Sequence, residues 1–361
     1  MPLLSSHSPT LFFLAPNPLF SKFSKRTIFS CCIQQSSSNP MSSPPGNINP
    51  TSQNDPLTLQ NYPTPLSPPL PSISKQIELA RALSASSRSS LFTLSRSDVL
   101  YEDQWLIAVN KPQGVYCETV LESVPRVLAA SAELTDPSEG AEGNPHEFHL
   151  ANRLDRDTSG VMVITKSHKV ASKLVKAFTD HKIKKTYIAL CIGLAPKWEK
   201  ITIKSGHGRS KFGVWRVYAA SDVGQTLPGG STVKDMETSF ELLSVNGQGS
   251  FKELSEFEKD ENILVVEEKA AKNADVKKVE ILVRAFPQSG RTHQIRLHCQ
   301  YLGISIRGDV KYEGVYEWEG RTYDGHELHA ETLSFEHPVT GVPVMLRAPL
   351  PSWAIQALQP L

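Results

Sequence analysis

From residue 98 onward the chain is a succession of short apolar or alternating runs, interrupted by stretches in which apolar residues recur every three or four positions. Trp105–Val109, Val161–Thr165, Thr186–Ile192, Phe212–Tyr218, Thr238–Val245 and Val279–Arg284 are rich in β-branched and aromatic residues, the composition of strands. Helical spacing shows in three places. Ile73, Ile77, Ala80 and Leu83 form a stripe within Ile73–Arg88. Val170, Leu174 and Phe178 follow Ser167, a residue suited to accept the first free amide of a helix. Ile295, Cys299 and Leu302 follow Thr292, which could cap in the same way, and Gly303 supplies a stop. Because strands and helices do not alternate strictly, the pattern predicts an α+β domain with hairpin-like connections.

Before residue 98 the pattern fades. Residues 1–54 hold 12 serines and no acid before Asp55, with Lys22, Lys25 and Arg26 behind the apolar Leu11–Leu14. That order suits an organellar transit peptide rather than a secretory signal, whose positive charge precedes its apolar stretch. Chloroplast is the first expectation and mitochondrion the second, with a disordered tail as the plain reading; translation from Met41 would leave a cytoplasmic form. Residues 55–72 continue a proline-rich stretch, nine prolines between Ser43 and Ser72, and read as an extended linker. Residues 73–97 read as a helical lead-in to a catalytic domain over 98–353. The charged run Lys252–Lys278 reads as a solvated insertion, about 247–277.

Composition narrows the function. The 361 residues are 39% hydrophobic, enough for a sizeable core, and Pro16 and Pro18 break the longest apolar N-terminal run, so a soluble protein is expected. Five cysteines without a CxxC pair argue against a disulfide framework or zinc site. Gly206 and Gly208 lack the spacing of a phosphate-cradling loop, which disfavours nicotinamide or ATP chemistry. Net charge is only +1, yet residues 166–216 hold 13 Lys or Arg against Asp180 and Glu199. Such asymmetry is expected where one face meets a polyanion, although a solvated helix face would read the same way.

Two clusters carry candidate chemistry. Asn152-Arg153-Leu154-Asp155-Arg156-Asp157-Thr158-Ser159-Gly160 runs into an apolar strand, a rigid support for reactive groups; by spacing alone the favoured reading is a structural turn with paired charges. Gly290-Arg291-Thr292-His293-Gln294-Ile295-Arg296-Leu297-His298 opens a helix, with Arg296 beside inward-facing Ile295 and thus able to leave the core edge for a cleft. His293 and His298, five apart, do not suit one metal on one helix face.

Together with Asn110-Lys111-Pro112-Gln113-Gly114, Lys185-Thr186-Tyr187-Ile188-Ala189-Leu190, Leu328-His329-Ala330 and His337-Pro338-Val339-Thr340-Gly341, these clusters resemble the RluA family of pseudouridine synthases over roughly Val99–Pro351. The resemblance implies the fold of that family, a mixed, mostly antiparallel sheet with flanking helices and a central cleft. It implies isomerisation of uridine to pseudouridine in rRNA, tRNA or mRNA, without cofactor or metal, and with neither a membrane nor an obligatory protein partner. By the same resemblance Asp155 is the catalytic aspartate, Tyr187 stacks on the target base and takes part in proton movement, and Arg296 pairs with Asp155. Arg153, Arg156, Lys185, Arg209, Arg291 and His293 would contact substrate, Arg156 near the extruded nucleotide. The family's usual His before Arg-Leu-Asp-Arg is Asn152 here, and its small N-terminal RNA-binding domain is not recognisable.

The implied reaction suits these residue types. A carboxylate in a dry pocket tends to protonate, and a guanidinium about 4 Å away opposes this by on the order of 4 kcal/mol at an effective dielectric near 20. Flipping the uridine costs roughly a few kcal/mol. The basic stretch Lys166–Arg216, with Gly206-His207-Gly208-Arg209 as a loop reaching the backbone, could offset that cost. Two other readings use the same residues: an RNA-binding protein that keeps the fold without the reaction, and a nucleoside hydrolase with Asp155 as nucleophile.

Overall fold

Apolar residues that alternate along two neighbouring strands, and a helix laid on either side of them, build the first half of the domain. The computed structural model describes residues 62–132, 147–249, 262–270, 277–313 and 316–359, all within one unit, Leu59–Leu361. The transit-peptide reading, Cys31, Cys32 and much of the charged run lie outside the described residues. Strands β1 (Val99–Glu102), β2 (Leu106–Lys111) and β3 (Ser159–Thr165) are antiparallel neighbours. Leu106, Ala108, Val161 and Val163 pack with Leu174 of helix α3 (His168–Thr179) on one face. On the other face Ile107, Val109, Met162 and Ile164 pack with Val120, Val124 and Val127 of helix α2 (Cys117–Ala132). Both faces are covered, so these strands read as nearly continuous apolar runs.

The second half repeats the arrangement around β4 (Lys184–Gly193), β5 (Lys200–Arg209), β6 (Lys234–Val245) and β7 (Val279–Pro287), in the spatial order β4-β7-β6-β5. Ala189, Cys191 and Val283 pack with Ile295, Leu297 and Cys299 of helix α4 (Gln294–Tyr301). Ile188, Leu190 and Leu282 pack with Ala354 of helix α5 (Ser352–Gln356). Strand β8 (Leu328–Glu336) joins the halves, parallel to β3 and antiparallel to β4. The result is an α+β fold with a mostly antiparallel sheet, and the seam between its halves is where the two chemical clusters meet.

Several sequence expectations need revision. Ser167 does cap α3, accepting the amide of Val170, but Thr292 does not cap α4. The residue before α4 is His293, left-handed at φ 58° with no side-chain cap. Helix α2 gave no clear sequence signal because Pro125 interrupts it; three buried valines on one stripe offset the roughly 3 kcal/mol that an interior proline costs. Helix α1 (Ser74–Ser89) forms as expected, yet Ile73, Ala80 and Leu83 face solvent and Ser74, Glu78, Arg81 and Ala85 face inward. Phe212 lies outside its expected strand, which is Trp215–Tyr218, and is 80% exposed. Within the supposed solvated insertion, Ile263–Val265 pairs with β5 as a parallel edge strand and Val266 is fully buried. Gly206-His207-Gly208-Arg209 is the end of β5 rather than a loop: a Cβ on Gly208 would lie 2.4 Å from Leu227, so packing, not reach, requires the glycine.

Candidate active site

The segment Asn152–Thr158 is fastened from three directions before it enters β3. Asn152 Oδ1 accepts the Val163 amide at 2.8 Å, so the asparagine itself orients the loop. The Leu154 amide and carbonyl both engage the Cys117 thiol, at 3.3 and 3.2 Å. From behind, the Lys111 ammonium donates to the carbonyls of Pro112, Val115 and Arg156, and the Gly114 amide, at a positive φ of 79°, donates to Arg156 as well. Lys111 is fully buried, and burial pushes its pKa down to about 8. Gly160 closes the motif because a Cβ there would lie 2.2 Å from the Ala330 carbonyl. That close approach lets Leu328-His329-Ala330 pair with the end of the loop, and Ser159 shares a 2.8 Å hydrogen bond with His329.

This scaffold holds Asp155 against Arg296. Nη1 of Arg296 donates to Asp155 Oδ2 at 2.6 Å, while Nε and Nη2 donate to the two oxygens of Asp309 at 2.7 and 2.9 Å. The guanidinium also lies over the Tyr312 ring, 5.1 Å from its centre. Arg296 is 5% exposed, not a surface arginine, and Asp309 is 1% exposed; Asp155, at 30%, is the member that opens to the cleft. Burial works to raise the Asp155 pKa, but His293, Arg296 and His326 and the Arg296 hydrogen bond hold it well below the usual carboxylate range. His293 is itself pushed down to about 3 by burial and by Arg296, so it is neutral at pH 7 and the permanent opposing charge is Arg296.

Around Asp155 opens a cleft of about 890 Å³ lined by Tyr187, Lys185, Arg291, His293, Arg153 and Arg156 among others. Burial, followed by the nearby Asp155 charge, pushes the Tyr187 phenol up to about 12, so it keeps its proton at neutral pH. His293 sits 3.7 Å from Asp155 Oδ2 through Nε2, while Nδ1 shares a 2.7 Å hydrogen bond with the Tyr312 hydroxyl. His298 faces elsewhere, between Ser205 and Thr238. Lys185 donates to the Ser289 carbonyl at 2.8 Å, and burial pushes it down to about 8. Arg291 is anchored on Asp235 at 2.7 Å. Arg156 is held by Asp157, two bonds of 2.7 Å, and by Glu78 at 3.6 Å. Arg153 is largely exposed and pairs with Glu118.

Arg209 is the predicted substrate-binding residue that the structure separates from this group. It donates to the Gly213 carbonyl and lies over Trp215, away from the cleft lining. The basic stretch is likewise not one face. It crosses α3, β4 and β5, and Lys166, Lys176, Lys204 and Arg216 are engaged by Glu102, Asp180, Glu237 and Ser67. Lys182 and Lys184 remain exposed beside cleft-lining His181 and Lys185.

Sequence reasoning missed Asp309, Tyr312 and His326, which shares a 2.7 Å hydrogen bond with Thr158. The local signal for Asp309 was slight: Gly308, with φ 79°, marks a turn but not a partner for Arg296.

The family model for RNA pseudouridylate synthases matches residues 105–301. The chain is 62% identical over 296 residues to the Arabidopsis thaliana protein named RNA pseudouridine synthase 1, covering 81% of this chain and 87% of that one. It is 62% identical over 297 residues to the protein of the same name from Oryza sativa subsp. japonica, covering 81% and 83%. It is also 29% identical over 262 residues to ribosomal large subunit pseudouridine synthase C of Pasteurella multocida, covering 70% and 64%.

Proposed function

Because the chain belongs to the RNA pseudouridylate synthase family, of the RluA type, and isomerises uridines in RNA to pseudouridine, we propose that Asp155 is the carboxylate on which the rearrangement turns. The observation that carries this reading is the 2.6 Å bond from Arg296 to one oxygen of a carboxylate on the cleft floor. Arg296 and His293 both address Oδ2, which leaves Oδ1 for the nucleotide. The reaction breaks the bond from uracil N1 to the sugar C1′, forms a bond from C5 to C1′, and moves a proton from C5 so that N1 ends protonated. Atoms and electrons balance without an oxidant or an energy source. An anion is needed at the sugar, whether it bonds to carbon or takes a proton, and Arg296 keeps Asp155 in that form.

The neighbours divide the remaining work. Tyr187, protonated at neutral pH, offers a ring for stacking and a hydroxyl to donate rather than a phenolate base. Lys185 and Arg291 are tied to Ser289 and Asp235, so they shape the cleft lip with fixed charge. Lys182 and Lys184 are free to meet phosphates and offset base flipping, roughly a few kcal/mol. The alternative of an RNA-binding protein without the reaction draws no support, whereas Asp155, Tyr187 and Arg296 lining one cleft supports the catalytic reading.

The test is pseudouridine mapping in cellular RNA with the wild-type protein and with Asp155→Ala. Loss of product by on the order of 10³-fold with RNA binding retained is expected, and modification that persists would refute the assignment. Free uracil would instead indicate a hydrolase. We further propose chloroplast import, supported by the serine-rich, acid-free composition of residues 1–54. A fluorescent fusion of those residues should enter chloroplasts; mitochondrial or cytoplasmic fluorescence would reject that address.

A further inference from the structure

Helix α1 precedes the stretch matched by the family model, which begins at Trp105, yet through Glu78 its inward face reaches a pocket on Asp155. That face carries Ser74, Glu78, Arg81 and Ser89 with Ala82 and Ala85 between them, while Leu79 and Leu83 are 58% and 63% exposed. With Glu78 and Arg81 inward beside the half-buried Ile77, and Leu79, Leu83, Lys75 and Arg88 exposed, specific polar contacts contribute to seating this helix.

Those contacts converge on the site. Arg81 Nη1 donates to the Gly308 carbonyl at 2.9 Å, and Nη2 donates to the Tyr323 carbonyl. Gly308 directly precedes Asp309, the carboxylate that grips Arg296; Tyr323 lies three residues before His326. Both carbonyls belong to one seam, where two segments of chain pass close together. A Cβ on Gly308 would lie 2.0 Å from the Gly325 carbonyl, and one on Gly325 would lie 2.9 Å from Asp157 Cβ. Arg307 with Glu327 and Gln113 with the His326 carbonyl tie these segments together, and the Arg81 fork adds a bond to each of them from α1. One turn earlier, Glu78 pairs with Arg81 at 3.8 Å and Arg156 at 3.6 Å. It also lines a second pocket of about 200 Å³ that shares Asp155, Arg156, His293 and Arg296 with the cleft.

We propose that α1 walls the second pocket on Asp155 and that Arg81 and Glu78 are positioning residues for Asp155. Arg81 pins the seam that sets Asp309 against Arg296. Glu78, with Asp157, occupies the Arg156 guanidinium, which is adjacent in sequence to Asp155 and would otherwise compete with Arg296 for its carboxylate. This inference rests on Asp155 being the reacting carboxylate.

The experiment uses the full-length chain, an RNA substrate and the variants Arg81→Met, Arg81→Lys, Glu78→Gln and the outward control Leu83→Gln. Arg81→Met should lower kcat by about tenfold to hundredfold, the usual effect of a small displacement at a reacting group, with KM for RNA unchanged. The acid limb of its kcat profile should move to higher pH, because Asp155 loses part of the guanidinium that keeps it ionised. Arg81→Lys should recover part of the turnover by reaching one carbonyl, and Leu83→Gln should match wild type. Unchanged kcat and acid limb in Arg81→Met would overturn the proposal. So would a loss of kcat that follows the folded fraction while the acid limb stays in place. Should Arg81→Met fail to fold, Glu78→Gln decides: a lower kcat at unchanged KM supports the proposal, and wild-type turnover defeats it. Product formation by Asp155→Ala would sink the underlying assignment whatever Arg81 does; an inactive Asp155→Ala beside a fully active Arg81→Met would sink only this inference.

Discussion

Two buried arginines in this domain each sit between two carboxylates, and they serve opposite ends. Arg284 donates to Glu331 at 3.2 Å and to Glu241 at 3.3 Å, and Glu331 takes a further bond from Arg347 at 3.1 Å. Arg284 and Glu241 are direct cross-strand partners on β7 and β6, and Glu331 sits at an irregularity in β8, where the register shifts between Ala330 and Thr332. Glu331 is wholly buried and no nucleotide could reach it. Arg296 has the same company in Asp155 and Asp309, but Asp155 opens on a cleft. One network holds strands together. The other holds charged the cleft-facing carboxylate that is proposed to react, so what separates structure from the proposed chemistry is access rather than residue type.

Removing a carboxylate from each network puts that contrast under the most strain. Glu331→Ala takes one of the two carboxylates from Arg284 inside the sheet and should cost on the order of 3–5 kcal/mol in urea unfolding, with turnover per folded molecule retained. Lost turnover at unchanged stability would mean that the sheet network belongs to the site after all. Asp309→Asn should act the other way, lowering kcat by about tenfold to hundredfold with a smaller change in stability.

The same variant also bears on pH dependence. Asp155 has a depressed pKa in the folded protein, so the ionised form persists as pH falls and is lost only below the ordinary carboxylate range, near 4. Wild-type kcat should therefore show no Asp155 limb between about pH 5 and 7, and Asp309→Asn, which removes a negative charge that shares Arg296, should not bring one into that window. A wild-type limb near pH 6 assigned to Asp155 by its loss in Asp155→Asn would contradict the geometry. The smallest effect belongs to the surface: Lys182→Gln with Lys184→Gln should reduce the slope of log binding constant against log salt by about 0.7–0.9 for each phosphate that is no longer neutralised. An unaltered slope would make both lysines ordinary solvated cations.

What could be read before folding was local. Val161–Ile164 as a buried strand and Ser167 as the cap of α3 follow from short-range sterics and hydrogen bonding, which the residues carry with them. Local reading failed where a distant partner overruled propensity. In α1 Ile73, Ala80 and Leu83 of the expected stripe lost the inward face, and Glu78 and Arg81 took it because Arg81 docks on backbone carbonyls. In α2 a valine stripe outweighed Pro125. At β5 the glycines that suggested a loop are there because Leu227 and Val233 leave no room for a side chain.

The order of residues settled which groups were available: the Asp155 motif, Tyr187, Arg296, and the family resemblance they carry. Folding in three dimensions settled who meets whom. Asp155 and Arg296 are 141 positions apart, and they touch because β8 is parallel to β3 and antiparallel to β4, which brings the two motifs to one seam. Asp309 and helix α1 join them only there. A charge's partner is set by distance and dielectric in space, and neither quantity is written in the succession of residues along the chain.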